Sequence, residues 1–335
     1  MKFSSTTRVV VVAIGLTVLA AACSSSSKGA QAGSTSAATT TRTGSEASTT
    51  APRPVPKPVP GSALKGDVAF LGPIATVPVG GVKIAFRRFG TGPDLLMIAG
   101  QASPMSQWPV STLATLAKKH RVTIFDNRDL GGTTTTPQFT LADLADDASG
   151  LIAALGLQRP QVFGWSTGGE IALLLAVRHP DVLSSLAITG ATPGGPKSVL
   201  PPPAIIELFA SANPDLGKLF DVLFSPSGTA ARNSFVAGIA KVPQGAVSAH
   251  ATQQYDAAEK DYWAKPEPKL DSITVPVLVM NGAADYAVPP ANSTYIASRI
   301  GKNARLELDP GGRHGWFIEH PAHFDALMDQ FPGRT

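Results

Sequence analysis

From about residue 66 to residue 335, short apolar runs alternate with amphipathic stretches, the pattern of a largely parallel sheet with crossover helices. The runs VKIAFRRF (82–89), DLLMIA (94–99), RVTIFD (121–126), QVFG (161–164), SLAIT (185–189), VPVLVMN (275–281) and ARLELD (304–309) read as strands. Polar residues alternate in the first, which places it antiparallel at an edge. Leu141, Leu144, Ala145, Ala148, Leu151, Ile152 and Leu155 recur at helical spacing, with Thr140 to cap the helix and Gly156 to end it. A second helix is expected from about Thr167 to His179, stopped by Pro180. Residues 193–271 do not read as sheet, and their apolar positions at helical spacing predict a helical cap inserted between two strands.

The N-terminus follows a different pattern. Lys2 and Arg8 precede an apolar run from Val9 to Ala22, too short to span a bilayer but suited to the core of an export signal. It ends in LAAAC, and Cys23 is the single cysteine of the chain, so no internal disulfide forms. Small residues before a cysteine at that place resemble the bacterial lipobox, which implies lipidation of Cys23 and a membrane-anchored protein outside the cytoplasm. Ala20 departs from that pattern, because its usual leucine stands one place earlier, at Leu19. An ordinary secretory signal cleaved near Ala22 is the alternative. Residues 24–65 are rich in Ser, Thr and Ala and then in Pro, with little to bury, and are expected to be a disordered tether that stiffens over PRPVPKPVP.

The formal charge of +4 falls to about +2 once the two cations of the leader are removed, so charge says little about partners. The tight basic clusters, KKHR at 118–121 and Arg87 with Arg88, lack interleaved aromatics and are expected to be solvated, so no nucleic-acid partner is expected.

The remaining chemistry centres on QVFGWSTGGE. A G-x-S-x-G string is weak by itself, since composition alone would produce it in about one such chain in four. Its place is stronger evidence: Ser166 falls in the turn between a predicted strand and a predicted helix. A serine there projects its hydroxyl above the sheet edge, with helix N-terminal amides nearby to receive an oxyanion. Side chains at positions 164 and 168 would collide across so sharp a turn, which accounts for the glycines. Such a serine needs a base and an orienting carboxylate, each just past a later strand. Asp285 follows the strand at 275–281 and His314 the strand at 304–309.

At this point the chain resembles the α/β-hydrolase superfamily over residues 70–335. The resemblance rests on RVTIFDNRD, on LADLADDASGLIAALGLQRPQVFGWSTGG, on VLVMNGAADYAVP and on GGRHGWFIEHP. It implies an α/β fold with a mostly parallel sheet flanked by helices, the catalytic order Ser166, Asp285, His314, and no cofactor or metal. The strand after the nucleophile helix is followed by TGATPGG, so Asp285 has no rival carboxylate there. Of the other histidines, His120, His179, His250, His320 and His323, the first two are expected at helix ends and the last two in a helical stretch, and the assignment of His314 rests on its loop. The resemblance also implies an oxyanion hole from the N–H groups of Thr167 and Gln101. Two positions depart from it: Ala99 stands where the family usually has His, and Asp129 where it usually has Gly.

Trp165, Phe209, Phe220 and Phe224 are candidate substrate contacts, alongside Gln101. Before residue 250 the cap supplies only Glu207, Asp215 and Asp221 as acids, so no carboxylate cluster for a substrate amine is evident, and uncharged esters are expected to be cut faster than aminoacyl amides. The function expected is a carboxylic-ester hydrolase, of the esterase or lipase kind, acting on a small-molecule ester. Perhydrolases, aminopeptidases and C–C hydrolases share the triad and remain open, as does a non-catalytic binding lipoprotein. Sequence leaves the natural substrate and the oligomeric state open.

Overall fold

The computed structural model describes residues 54–211 and 214–331 of the chain. The export signal, Cys23 and most of the expected tether lie outside the described residues. Among the described residues, nine strands form one sheet in the order β1-β2-β3-β5-β4-β6-β7-β8-β9. They are β1 (Lys57–Pro58), β2 (Ala75–Val79), β3 (Val82–Phe89), β4 (Asp94–Ile98), β5 (Arg121–Phe125), β6 (Gln161–Trp165), β7 (Ser185–Thr189), β8 (Val277–Gly282) and β9 (Ala304–Asp309). From β5 through β4 and β6 to β9 the pairing is parallel, and β1, β2 and β3 run antiparallel. Every residue of β4, β7 and β8 is buried, as parallel strands covered on both faces must be.

The body helices are α1 (Val110–Leu116), α2 (Leu141–Leu155) and α3 (Thr167–Arg178). A cap of α4 (Pro203–Ala210), α5 (Leu216–Leu223), α6 (Thr229–Ile239) and α7 (Ala249–Ala264) separates β7 from β8, and α8 (Pro290–Ile300), α9 (Trp316–Glu319) and α10 (Pro321–Gln330) follow. No described helix is long and apolar enough to cross a membrane. The α2 boundaries come from local chemistry. Thr140 and Asp143 form a capping box, and Gly156 ends the helix at φ 63°, where a side chain would be strained.

Three expectations are corrected. The folded body begins before residue 66: Lys57 and Pro58 pair with Thr76 and Ala75, the Val59 amide donates to the Ile74 carbonyl at 2.9 Å, and Ser62 accepts from the Ile74 amide. Proline is compatible with this because β1 is an edge strand. In turn, β3 is not an edge strand, since β1 and β2 lie outside it. Its alternation arises differently, because Arg87 is buried rather than solvated. The Arg87 guanidinium donates to the carbonyls of Gly72 and Ser62, which supply the partners that water would otherwise give.

Candidate active site

Ser166 joins β6 to α3 at φ 58° and ψ −128°, a backbone conformation that non-glycine residues adopt at a cost of about 1–3 kcal/mol. The turn is held by the Ser166 amide donating to the Thr189 carbonyl at 2.9 Å. Its tightness explains the flanking glycines. A Cβ on Gly164 would stand 2.3 Å from the Gly168 carbonyl oxygen, and one on Gly168 would stand 2.1 Å from that of Ile98.

His314, in the loop after β9, and Asp285, in the loop after β8, meet with 2.8 Å between Nδ1 and Oδ2. The other oxygen of Asp285 accepts from the amides of Ala287 and Val288, each at 2.9 Å, so the carboxylate is fixed before it meets the imidazole. Both groups are almost fully buried. The histidine loop is held by its own backbone too: the Trp165 indole donates to the His314 carbonyl at 3.1 Å. Gly190 makes room for the pair, since a Cβ there would lie 2.8 Å from His314 Cε1.

Ser166, His314 and Gln101 line one cavity of about 110 Å³ beneath the cap. The turn at Gly100 and Gln101 passes against the serine, with a Cβ on Gly100 falling 3.3 Å from Ser166 Cβ. Thr167 opens α3 on the other side. The two residues expected to supply oxyanion donors therefore flank Ser166. Trp165 and Phe209 line the cavity as expected, together with Leu208, Leu219, Leu223 and Phe235. Phe220 and Phe224 do not. Leu219 and Leu223 turn toward the cavity, while Phe220 meets Phe224 in a tilted ring contact and Phe224 packs on Phe235.

The structure accounts for one departure from the family pattern. Asp129 has φ 68°, the left-handed region in which glycine is easiest and aspartate tolerated. Its carboxylate lies 2.7 Å from His250 Nδ1 on α7, a contact that glycine would not make. For Ala99 nothing in the structure explains the substitution.

Two functional candidates escaped sequence reasoning. Glu170, on α3, and Glu259, on α7, are both buried and line a smaller cavity with Ser166. The pocket thus has a carboxyl pair that the cap acids before residue 250 gave no reason to expect. Glu259 accepts from the Thr167 hydroxyl, and Glu170 accepts from the Thr192 hydroxyl and from the Trp263 indole at 3.4 Å. Burial pushes both carboxyls up, and the charge of Glu170 adds to the rise at Glu259. The sequence signal was a lone glutamate in the otherwise apolar GGEIALLLA, four places after the serine. Among the described residues, no group of three or more His, Cys, Asp or Glu is placed to hold a metal ion.

The chain is similar to known proteins over most of this body. A pimeloyl-acyl-carrier protein methyl ester esterase of Neisseria meningitidis serogroup B is 29% identical over 238 residues, covering 67% of this chain and 82% of the relative. An alpha/beta hydrolase fold protein from Chitinophaga pinensis superposes with a TM-score of 0.67 at 25% identity, covering 77% of this chain and 96% of its own. The enol-lactonase from Burkholderia xenovorans LB400 gives a TM-score of 0.62 at 25% identity, covering 77% and 100%. Residues 95–324, more than half of the chain, match the model of the alpha/beta hydrolase family, and the chain is a member of that family and a hydrolase.

Proposed function

We propose that the protein is a carboxylic-ester hydrolase of the cell envelope that works through Ser166, His314 and Asp285. The observation that carries this reading is the 2.8 Å contact of His314 with a pre-fixed Asp285, in a cavity shared with a serine on a strained turn. Relatives named for a methyl ester and a lactone point to the same bond class.

In this mechanism Ser166 Oγ attacks the ester carbonyl carbon while His314 Nε2 takes its proton. The oxyanion receives the amides of Gln101 and Thr167. The alcohol leaves with the proton from His314, and an acyl group remains on Ser166. Water then attacks the acyl carbon, giving its proton to His314. Collapse returns that proton to Ser166 and releases the acid. Asp285 holds Nδ1–H toward itself, so that Nε2 is free to act as base.

A fluorophosphonate probe tests the assignment: the wild type is expected to be labelled and Ser166→Ala not. Labelling that persists in Ser166→Ala overturns it, and a wild type that is folded yet inert toward the probe favours a non-catalytic binding protein.

The envelope location rests on the leader and on Cys23 as a lipidation site. Cys23→Ala is expected to shift the protein from the detergent-extracted membrane fraction to the soluble or precursor pool. Equal membrane association in the variant favours a plain secretory signal.

A further inference from the structure

The cavity beneath the cap has two compartments that meet at Gln101, Ser166 and Phe209. The larger is mainly apolar. The smaller, about 20 Å³, has room for one water-sized group and is lined by Glu170, Glu259, Thr192 and Trp263. Oε2 of Glu170 is buried and has no hydrogen-bond partner among the described residues. No Lys, Arg or His is among the described residues lining this compartment; burial raises both carboxyls, and Glu170 and Asp256 add negative charge at Glu259. A buried carboxyl pair with one oxygen unsatisfied is costly in any fold.

We propose that this compartment is a subsite for a primary ammonium group of the substrate, held by Glu170 and Glu259 beside Ser166. The ligand class follows from volume and donors. One water-sized position admits a primary ammonium but not a guanidinium or a trimethylammonium head. An ammonium brings three donors and a unit positive charge, which answers the unpartnered Oε2 and favours ionisation of a pair that burial otherwise keeps protonated. A hydroxyl group would supply one donor and no charge. A divalent cation would need about six oxygens, and this compartment offers two carboxyl groups and a threonine.

The three elements that build the subsite also explain why it is rigid. Glu170 stands one turn into α3, Thr192 follows β7, and Glu259 and Trp263 are one turn apart on α7, facing the body. Tyr255, a further turn back, donates to the Arg128 carbonyl at 3.1 Å and fixes the helix in register. The substrate then spans Ser166, with an apolar part in the larger compartment and an ammonium a few bonds from the scissile carbonyl in the smaller. This inference takes Ser166 as the reacting centre and so rests on the function proposed above.

Two matched ester pairs and one binding measurement test it. p-Nitrophenyl 3-aminopropanoate against p-nitrophenyl butanoate replaces a terminal methyl by ammonium on the acyl side. 3-Aminopropyl butanoate against butyl butanoate makes the same exchange on the alcohol side. In one pair the amino ester is expected to be favoured about tenfold or more in kcat/KM. Glu170→Gln and Glu259→Gln are each expected to bring that ratio to about one or below, whatever they do to absolute rates. If either variant fails to fold, the other reads the same ratio. Separately, propylammonium chloride is expected to raise the Tm of Ser166→Ala in a saturable way, 1-propanol to have no such effect, and the rise to vanish when Glu170→Gln is added. Ester cleavage with neutral esters favoured in both pairs and no ammonium-dependent Tm shift overturns the subsite and leaves the hydrolase reading intact; the pair then merely shares a proton. An ammonium-dependent shift with no ester cleaved overturns the esterase reading and supports the subsite.

Discussion

His250 Nδ1 lies 2.7 Å from Asp129 Oδ2, and through this contact the first turn of the cap helix α7 is fastened to the loop after β5. Asp129 serves there at φ 68°, a conformation that costs an L residue about 1–2 kcal/mol. His250 is partly exposed, so the pair itself is worth at most about 1 kcal/mol. Asp129→Gly loses the contact and relieves the backbone, and is expected to leave stability within about 1 kcal/mol of wild type. Asp129→Val keeps the strain with a β-branched side chain and is expected to cost about 2 kcal/mol or more. Urea denaturation of the two variants checks the contrast.

Ser166 carries the same kind of backbone strain at a position that chemistry requires. Ser166→Ala and Ser166→Gly should both lose ester turnover by about 10⁴ or more, because the triad acts as a unit. They should differ in stability: glycine relieves φ 58° and is expected to raise stability by about 1 kcal/mol over alanine. Thermal melts beside a p-nitrophenyl ester assay separate the two effects.

Asp285 uses one oxygen for two backbone amides and the other for His314. In Asp285→Asn the amide oxygen must stay with Ala287 and Val288, so the NH₂ faces Nδ1 and forces the proton onto Nε2. A His314 in that tautomer cannot accept from Ser166. Turnover is expected to fall by about 10⁴ with the melting temperature little changed. Turnover near wild type would place the acid elsewhere.

Glu170 and Glu259 give a pH dependence of stability. Burial raises both, so the folded protein holds their protons more tightly than the unfolded chain does. The stability they contribute is complete below the ordinary glutamate value of about 4.3 and is lost as pH rises through the folded values. Glu259→Gln removes one of the two titrations. The fall in Tm between about pH 5 and about pH 8 is therefore expected to be shallower in Glu259→Gln than in the wild type.

The central parallel strands β4, β7 and β8 were legible because burial on both faces makes them mostly apolar, and α2 because a capping threonine and a terminal glycine bracket a clean helical period. The elbow was legible for the same kind of reason, since close approach demands glycine at 164 and 168. β2 was missed because ATVPV is short and carries Pro78 next to its end. Arg87 was misread because a buried guanidinium looks like a solvated one until Gly72 and Ser62 turn their carbonyls toward it. Glu170 and Glu259 are 89 positions apart, and only the docking of α7 on α3 brings them to one cavity. Phe220 and Phe224 shared the apolar character of true lining residues, and the rotation of α5, which composition does not encode, set them aside.

The proline run has a consequence for how copies of the protein meet. The Lys57 carbonyl and the Val59 amide turn inward to β2, so the even-numbered positions on either side face outward. Pro56, Pro58 and Pro60 occupy those positions, and a proline offers no N–H to an incoming strand. The β1 margin of the sheet is thus chemically blunt, a safeguard against edge-to-edge fibre growth through that side. A chain shortened to begin after Pro60 would bare β2 in its place, and that form is the one to expect in aggregates.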